Sequence, residues 1–169
     1  MKPIKIVTFA GLFACALPAY AATYGATARA DVINRAGDII GTAALTQGET
    51  GVLIRVKVAG LAPGPHGLHL HAHGACDPRD GFQTAKGHSG TGDKGEGLLN
   101  PSGPKPGDIP NIYVGADGIG QMEAYATEVV LSDTNGAAFI IHAFTDDHTS
   151  RPIGGADGRV ACGVIETAQ

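Results

Sequence analysis

The sequence predicts an all-β domain, a sandwich or barrel of about eight short antiparallel strands, and three observations predict it. Apolar and polar residues alternate at period two. The clearest case is Val52-Leu53-Ile54-Arg55-Val56-Lys57-Val58, where Val52, Ile54, Val56 and Val58 share one face and Arg55 and Lys57 the other. Turn sequences punctuate such stretches at short intervals. Helical periodicity is hard to find, while glycine is plentiful and tryptophan absent.

Taken in chain order, residues 1–21 read as a signal peptide. Lys2 and Lys5 make a positive start, residues 6–18 are nearly all apolar, and Ala19-Tyr20-Ala21 presents small residues where a signal peptidase reads. The apolar run is short for a bilayer span and no later stretch is long enough. The expected product is an exported domain of residues 22–169, periplasmic or extracellular, with no membrane segment after processing. Leu12-Phe13-Ala14-Cys15 loosely resembles a lipid-attachment sequence, but Phe13 fits it poorly. Strands are expected near 24–33 and 38–46, parted by Asn34-Arg35-Ala36-Gly37-Asp38, and at 52–58 after the turn Gln47-Gly48-Glu49. Others are expected at 67–73, 111–115, 119–125, 128–132, 137–143 and 159–165, with Ala116-Asp117-Gly118 and Asp133-Thr134-Asn135-Gly136 as turns. Many short strands with regular turns suggest a sandwich or barrel. Residues 74–110 and, on a smaller scale, 144–158 break this rhythm. Long irregular loops in a compact domain are commonly functional.

The formal net charge is −4, and the leader carries two lysines and no acid, so the remainder carries −6. That balance argues against broad nucleic-acid binding, which wants a basic face. It leaves room for a small positive funnel, because local field and net charge are separate properties. Of the three cysteines, Cys15 leaves with the leader. Cys76 and Cys162 remain as an even pair in an exported chain, and a disulfide is the natural reading in an oxidising compartment. It would tie the first irregular loop to the last strand, with a stabilisation of roughly 4–5 kcal/mol in the chain-entropy account.

All seven histidines fall within residues 66–88 or 142–148. His69 and His71 alternate on an expected strand, so their rings leave one face, a ready metal chelate. His88 lies in the long loop and His142 ends the strand before the second loop. Four imidazoles from separated segments suit copper, which accepts nitrogen ligands in tetragonal geometry.

Here a family becomes recognisable. Gly67-Leu68-His69-Leu70-His71-Ala72-His73-Gly74 resembles the copper-ligand signature of the copper/zinc superoxide dismutases. Gly87-His88 resembles their metal-bridging histidine segment, and Gly107-Asp108-Ile109-Pro110-Asn111 the end of their zinc loop. Ile141-His142-Ala143 with Asp146 resembles the last copper ligand and the carboxylate after it. Residues 158–165 resemble the final strand, with Arg159 and Cys162 at the positions of the family's active-site arginine and disulfide cysteine.

The resemblance implies a Greek-key β-barrel, with copper held by His69, His71, His88 and His142 and a disulfide between Cys76 and Cys162. It implies that Arg159 attracts the superoxide anion and that His88 takes a catalytic part by moving a proton. Asp146 would be the carboxylate behind His69, and His66 a structural histidine on backbone. His73 and His148 read as surface residues, and Arg151 as an addition to the funnel. Branches of the family pair through different surfaces, so a homodimer is one assembly left open.

The sequence departs from the family at zinc. No histidine lies between His88 and His142, and counting at the family's spacing puts Glu96 and Lys105 where two zinc histidines belong. His88, Asp108 and Glu96 remain as zinc donors, whereas structural zinc sites normally have four protein ligands. The expectation is a copper-only member, with the Lys105 ammonium pairing with Asp108. The implied function is copper-dependent conversion of superoxide to oxygen and hydrogen peroxide. The alternative is a non-catalytic exported copper-binding protein on the same fold.

Overall fold

A computed structural model of the chain describes residues 24–90, 95–134 and 136–167. The expected leader, with Cys15, lies outside the described residues. Alternation of burial drives the first strands. In β1 (Thr27–Asn34) Ala28, Ala30 and Val32 point inward, and in β3 (Gly51–Ala59) Val52, Ile54, Val56 and Val58 do. Between them runs β2 (Ile39–Gln47). The others are β4 (Gly64–His71), β5 (Asp108–Val114), β6 (Ile119–Thr127), β7 (Ala138–His142), β8 (Arg159–Val164) and the short β9 (Glu166–Thr167).

Every pairing is antiparallel, in the order β2-β3-β6-β5-β4-β7-β8-β1, and β1 returns to β2, closing eight strands into a barrel. The pairings β3–β6 and β4–β7 skip over intervening strands, as a Greek key requires. Closure leaves the barrel without a free edge. Among the described residues no helix is long and apolar enough to cross a membrane.

One expected strand is not there. Residues 128–132 do not extend a ladder: Glu128 takes a left-handed φ of 62°, and α1 (Leu131–Thr134) follows as a single turn. Val129 and Leu131 are buried, which mimics period two, but Thr134 is buried as well, three residues on. The Leu131 N–H is capped by the Gln47 side chain, and the Thr134 hydroxyl donates to the Leu131 carbonyl. β5 also starts three residues before its expected place, because Asp108 and Ile109 pair with His69 and Leu68.

Two apolar clusters explain where the loops sit. The barrel core includes Leu68, Leu70, Ile109, Ile112, Phe139, Ile141 and Ala161. A second cluster lies on the other face of β7 and β8, where Phe82 and Ala85 of the first loop pack on Ala138, Ile140 and Cys162. The Cys76–Cys162 disulfide joins this cluster, with Cα atoms 5.6 Å apart. The sequence alternation of β4 and β7 is therefore apolar to the barrel and apolar or histidine to the loops, so both strands are buried on both faces.

Candidate metal centre

β4 sends Leu68 and Leu70 into the barrel and His69 and His71 to the opposite face, where the loops cover them completely. His88 joins from the first loop through an isolated bridge to His71. His142 comes from the end of β7, where a register irregularity breaks the ladder to β8, a common device for re-aiming a side chain. One ring nitrogen from each of the four lies within 4.8 Å of the others, and all four residues are buried.

Each ring has one nitrogen committed and one free. His69 Nε2 bonds Asp146 Oδ2 at 2.6 Å, and His88 Nδ1 bonds Asp108 Oδ1 at 2.8 Å. His71 Nδ1 donates to the Lys86 carbonyl at 2.7 Å, and His142 Nδ1 to the Asp157 carbonyl at 2.8 Å. The opposite atoms, His69 Nδ1, His71 Nε2, His88 Nε2 and His142 Nε2, are buried with no hydrogen-bond partner. A buried unpaired nitrogen is costly, and four of them facing one point have a ready explanation in a shared cation. Committing the far nitrogen to an acceptor fixes the tautomer and aims the lone pair at that point.

Burial also disfavours the protonated form of three of the rings. It lowers the His71 pKa to about 2 and the His142 pKa to about 4, and lowers that of His69 against the pull of Asp146. Neutral imidazole is the metal-binding form. Four imidazole nitrogen donors converging on one point fit copper. Burial pushes the Asp146 and Asp108 carboxyls up, but hydrogen bonds outweigh it and both titrate below the usual carboxylate range. For Asp146 the donors are His69 and the His148 N–H; for Asp108 they are His88 and the N–H groups of Gly97 and Lys105.

Arg159 pairs across the ladder with His142. Its Nη1 donates to the Phe82 carbonyl at 2.5 Å and its Nη2 to the Lys86 carbonyl at 2.6 Å. The Lys86 carbonyl thus orients a ring of the cluster and the arginine together. Burial lowers the Arg159 pKa, yet a guanidinium remains cationic at working pH.

The zinc-side residues are arranged otherwise than expected. The Lys105 ammonium pairs with Glu96 Oε1 at 2.8 Å, not with Asp108. Asp108 Oδ2 is taken by two backbone donors, Gly97 N–H at 2.7 Å and Lys105 N–H at 3.0 Å. The physical reason is local: the turn that ends at Asp108 aims its Lys105 N–H at the carboxylate and Gly97 N–H reaches it from earlier in the segment, leaving the ammonium to reach across to Glu96. Gly97 is needed there, since its φ is +104° and a Cβ would stand 2.3 Å from the His148 carbonyl.

Both ring nitrogens of His66 bond to backbone, Nδ1 to the His142 carbonyl and Nε2 to that of Ala62. His73 and Arg151 are exposed. His148 is a correction: its side chain is only 22% exposed, and its Nδ1 stands 3.7 Å from Asp146 Oδ1. Sequence reasoning gave Asn111 no role. Its amide clamps the Asp146 backbone, accepting from N–H and donating to C=O, both at 2.8 Å, and it also donates to His148 Nε2. An asparagine inside a strand, where the type is depleted, was the available signal.

A closed Greek-key barrel carrying a buried four-histidine group between its outer face and two long loops defines a β-barrel metalloprotein. The chain belongs to the copper/zinc superoxide dismutase family: the family model described as copper/zinc superoxide dismutase (SODC) matches residues 39–165. "Superoxide dismutase [Cu-Zn] 1" of Aquifex aeolicus is 40% identical over 146 residues, covering 81% of this chain and 86% of the relative. The superoxide dismutase [Cu-Zn] of Caulobacter vibrioides is 40% identical over 149 residues, covering 81% and 85%. The crystal structure of a SOD-like protein from Bacillus subtilis superposes with a TM-score of 0.74 at 33% identity, covering 80% of this chain and 95% of that one. The family is one of oxidoreductases, and it implies copper at the histidine group.

Proposed function

We propose that this protein is an exported superoxide dismutase that works with copper at His69, His71, His88 and His142 and without zinc. Two superoxide anions and two protons become one oxygen and one hydrogen peroxide. The observation that carries the reading is the set of four buried, unpartnered nitrogens beside an arginine fixed on two carbonyls. Copper held there supplies one-electron redox chemistry, alternately with one superoxide and the next. Arg159 binds and steers the anion with a charge that survives at any working pH. His88 would carry a proton at Nε2 only while that nitrogen is not a copper ligand, its Nδ1 staying on Asp108 throughout. The disulfide and the leader-like start of the chain support an oxidising destination.

The zinc-free part rests on the donor set. Glu96 and Asp108 are already bonded within the protein, and an ammonium stands where a ligand is needed. The test is the dismutation rate of protein given one equivalent of copper after zinc is chelated away. A fast rate that zinc leaves unchanged is expected. A negligible rate that zinc restores would overturn the zinc-free reading. A negligible rate under both conditions would leave a non-catalytic copper-binding protein.

A further inference from the structure

The segment 95–108 must keep a fixed shape, because Asp108 holds the His88 ring and is itself held from that segment. Its two backbone donors are the N–H groups of Gly97 and Lys105. Glu96 immediately precedes one donor, and Lys105 is the other. The Glu96–Lys105 ion pair therefore joins, through side chains, the two points whose main chain grips Asp108. Both side chains are about four-fifths buried, at 19% and 22% exposure, so the pair is shielded from the screening that weakens surface pairs. The Glu96 carbonyl is fixed in turn by the Asn100 side chain at 3.0 Å.

We infer that the Glu96–Lys105 pair is this chain's substitute for a zinc ion, a lock that closes the 95–108 segment so that Asp108 holds the His88 ring for copper. The inference deepens the zinc-free reading above and rests on it. The donors do not fit zinc, and the disagreement is constructive: the two positions without zinc ligands hold opposite charges at 2.8 Å. A divalent ion would cross-link the segment by coordination. Here an ammonium–carboxylate contact cross-links the same positions, and two amide hydrogen bonds take over the carboxylate. Glu96 and Lys105 are positioning residues in this account, acting on the cluster only through Asp108 and His88.

The test uses the copper-loaded protein and reads the Cu(II) electron paramagnetic resonance spectrum and the rate of copper loss to a chelator. Glu96→Gln and Lys105→Met are each expected to alter the spectrum. Each should speed copper loss roughly tenfold, the low end of what partners behind metal ligands cost. The charge-reversed double variant, Glu96→Lys with Lys105→Glu, is expected to restore both. A pair that only stabilised the fold would lower the melting temperature without moving the spectrum. Unchanged spectra and loss rates in both single variants would overturn the lock while leaving the zinc-free reading intact. Should a single variant fail to fold, Glu96→His with Lys105→His supplies the second measurement. It is expected to take up one zinc per chain in competition with a chromogenic chelator, where the native protein takes none. Failure of the double-histidine protein to bind zinc would sink the lock, because the positions would then not be those of the missing ligands. One zinc bound tightly by the native protein would overturn the zinc-free reading itself.

Discussion

The two nitrogens of His88 face two differently built regions. On the Nε2 side, three more imidazoles converge, each with its far nitrogen committed to an acceptor and its near nitrogen unpartnered. On the Nδ1 side, the charged groups have partners within the protein: Asp108 takes His88 and two N–H groups, and Glu96 takes Lys105. The first region presents unpartnered nitrogens to a cation, and the second, on the zinc-free reading proposed above, supplies its own counter-charge. On that reading the protein retains the shape of a two-metal site while supplying one half from its own charges. The price is a network in which each member depends on the next.

The comparison breaks most visibly on the Nε2 side. His142→Ala is expected to reduce dismutation to background and copper content below one per chain, because one of four converging nitrogens is gone. His73→Ala, an exposed neighbour of the same motif, should leave both unchanged. Copper retained at full stoichiometry in the His142 variant would mean that the cluster is not the copper site.

A pH titration of the metal-free protein separates the regions by window. His71 and His142 have folded pKa values of about 2 and about 4, and that of His69 is also lowered, against roughly 6.5 when unfolded. The unfolded chain therefore binds protons that the folded chain refuses. Stability contributed by these rings is present above about 6.5 and falls as the pH drops below it, by roughly 1.4 kcal/mol per pH unit for each ring. The loss continues to about pH 4 for His142 and about pH 2 for His71. Asp108 and Asp146, whose pKa values are depressed, contribute stability at all higher pH and begin to lose it only as the pH falls through the ordinary carboxylate range of about 4. Urea midpoints at pH 7.5, 6.5, 5.5 and 4.5 measure this. A midpoint that stays level from 7.5 to 4.5 would mean that the rings are already solvated without metal.

Arg159→Ala should slow dismutation by ~10- to 1000-fold and flatten its dependence on salt, the mark of lost steering. Arg159→Lys should recover little, since a single ammonium does not reproduce a fork held on the Phe82 and Lys86 carbonyls. Rates measured from low to high ionic strength decide it. An alanine variant as fast and as salt-sensitive as the native protein would remove Arg159 from the reaction.

The grouping of four histidines was legible in the sequence because strand periodicity alone puts His69 and His71 on one face, and the family motif then brought in His88 and His142. The barrel was legible for the same reason, except at 128–132, where Val129 and Leu131 have strand spacing and form the entry to a helical turn. The Nδ1 side was not. Whether Lys105 reaches Asp108 or Glu96 depends on where a turn aims its N–H groups, and residue type does not carry that. The double duty of the Lys86 carbonyl was equally hidden, since every residue has one.

The smallest expected effect lies behind His69. Asp146 accepts from His69 Nε2, and Asn111 holds the Asp146 main chain from both sides. Asp146→Asn should weaken copper binding by roughly 10- to 100-fold, the usual cost of losing a carboxylate behind a ligating imidazole. Asn111→Ala should weaken it less, because Asp146 keeps its charge and loses only its support. If Asn111 acts through Asp146, the double variant is no worse than Asp146→Asn alone, as residues in one network fail to add. Copper competition titrations on the four proteins of the cycle test this. Fully additive losses would mean that Asn111 reaches the cluster by another route, with His148, to which it also donates, as the residue to vary next.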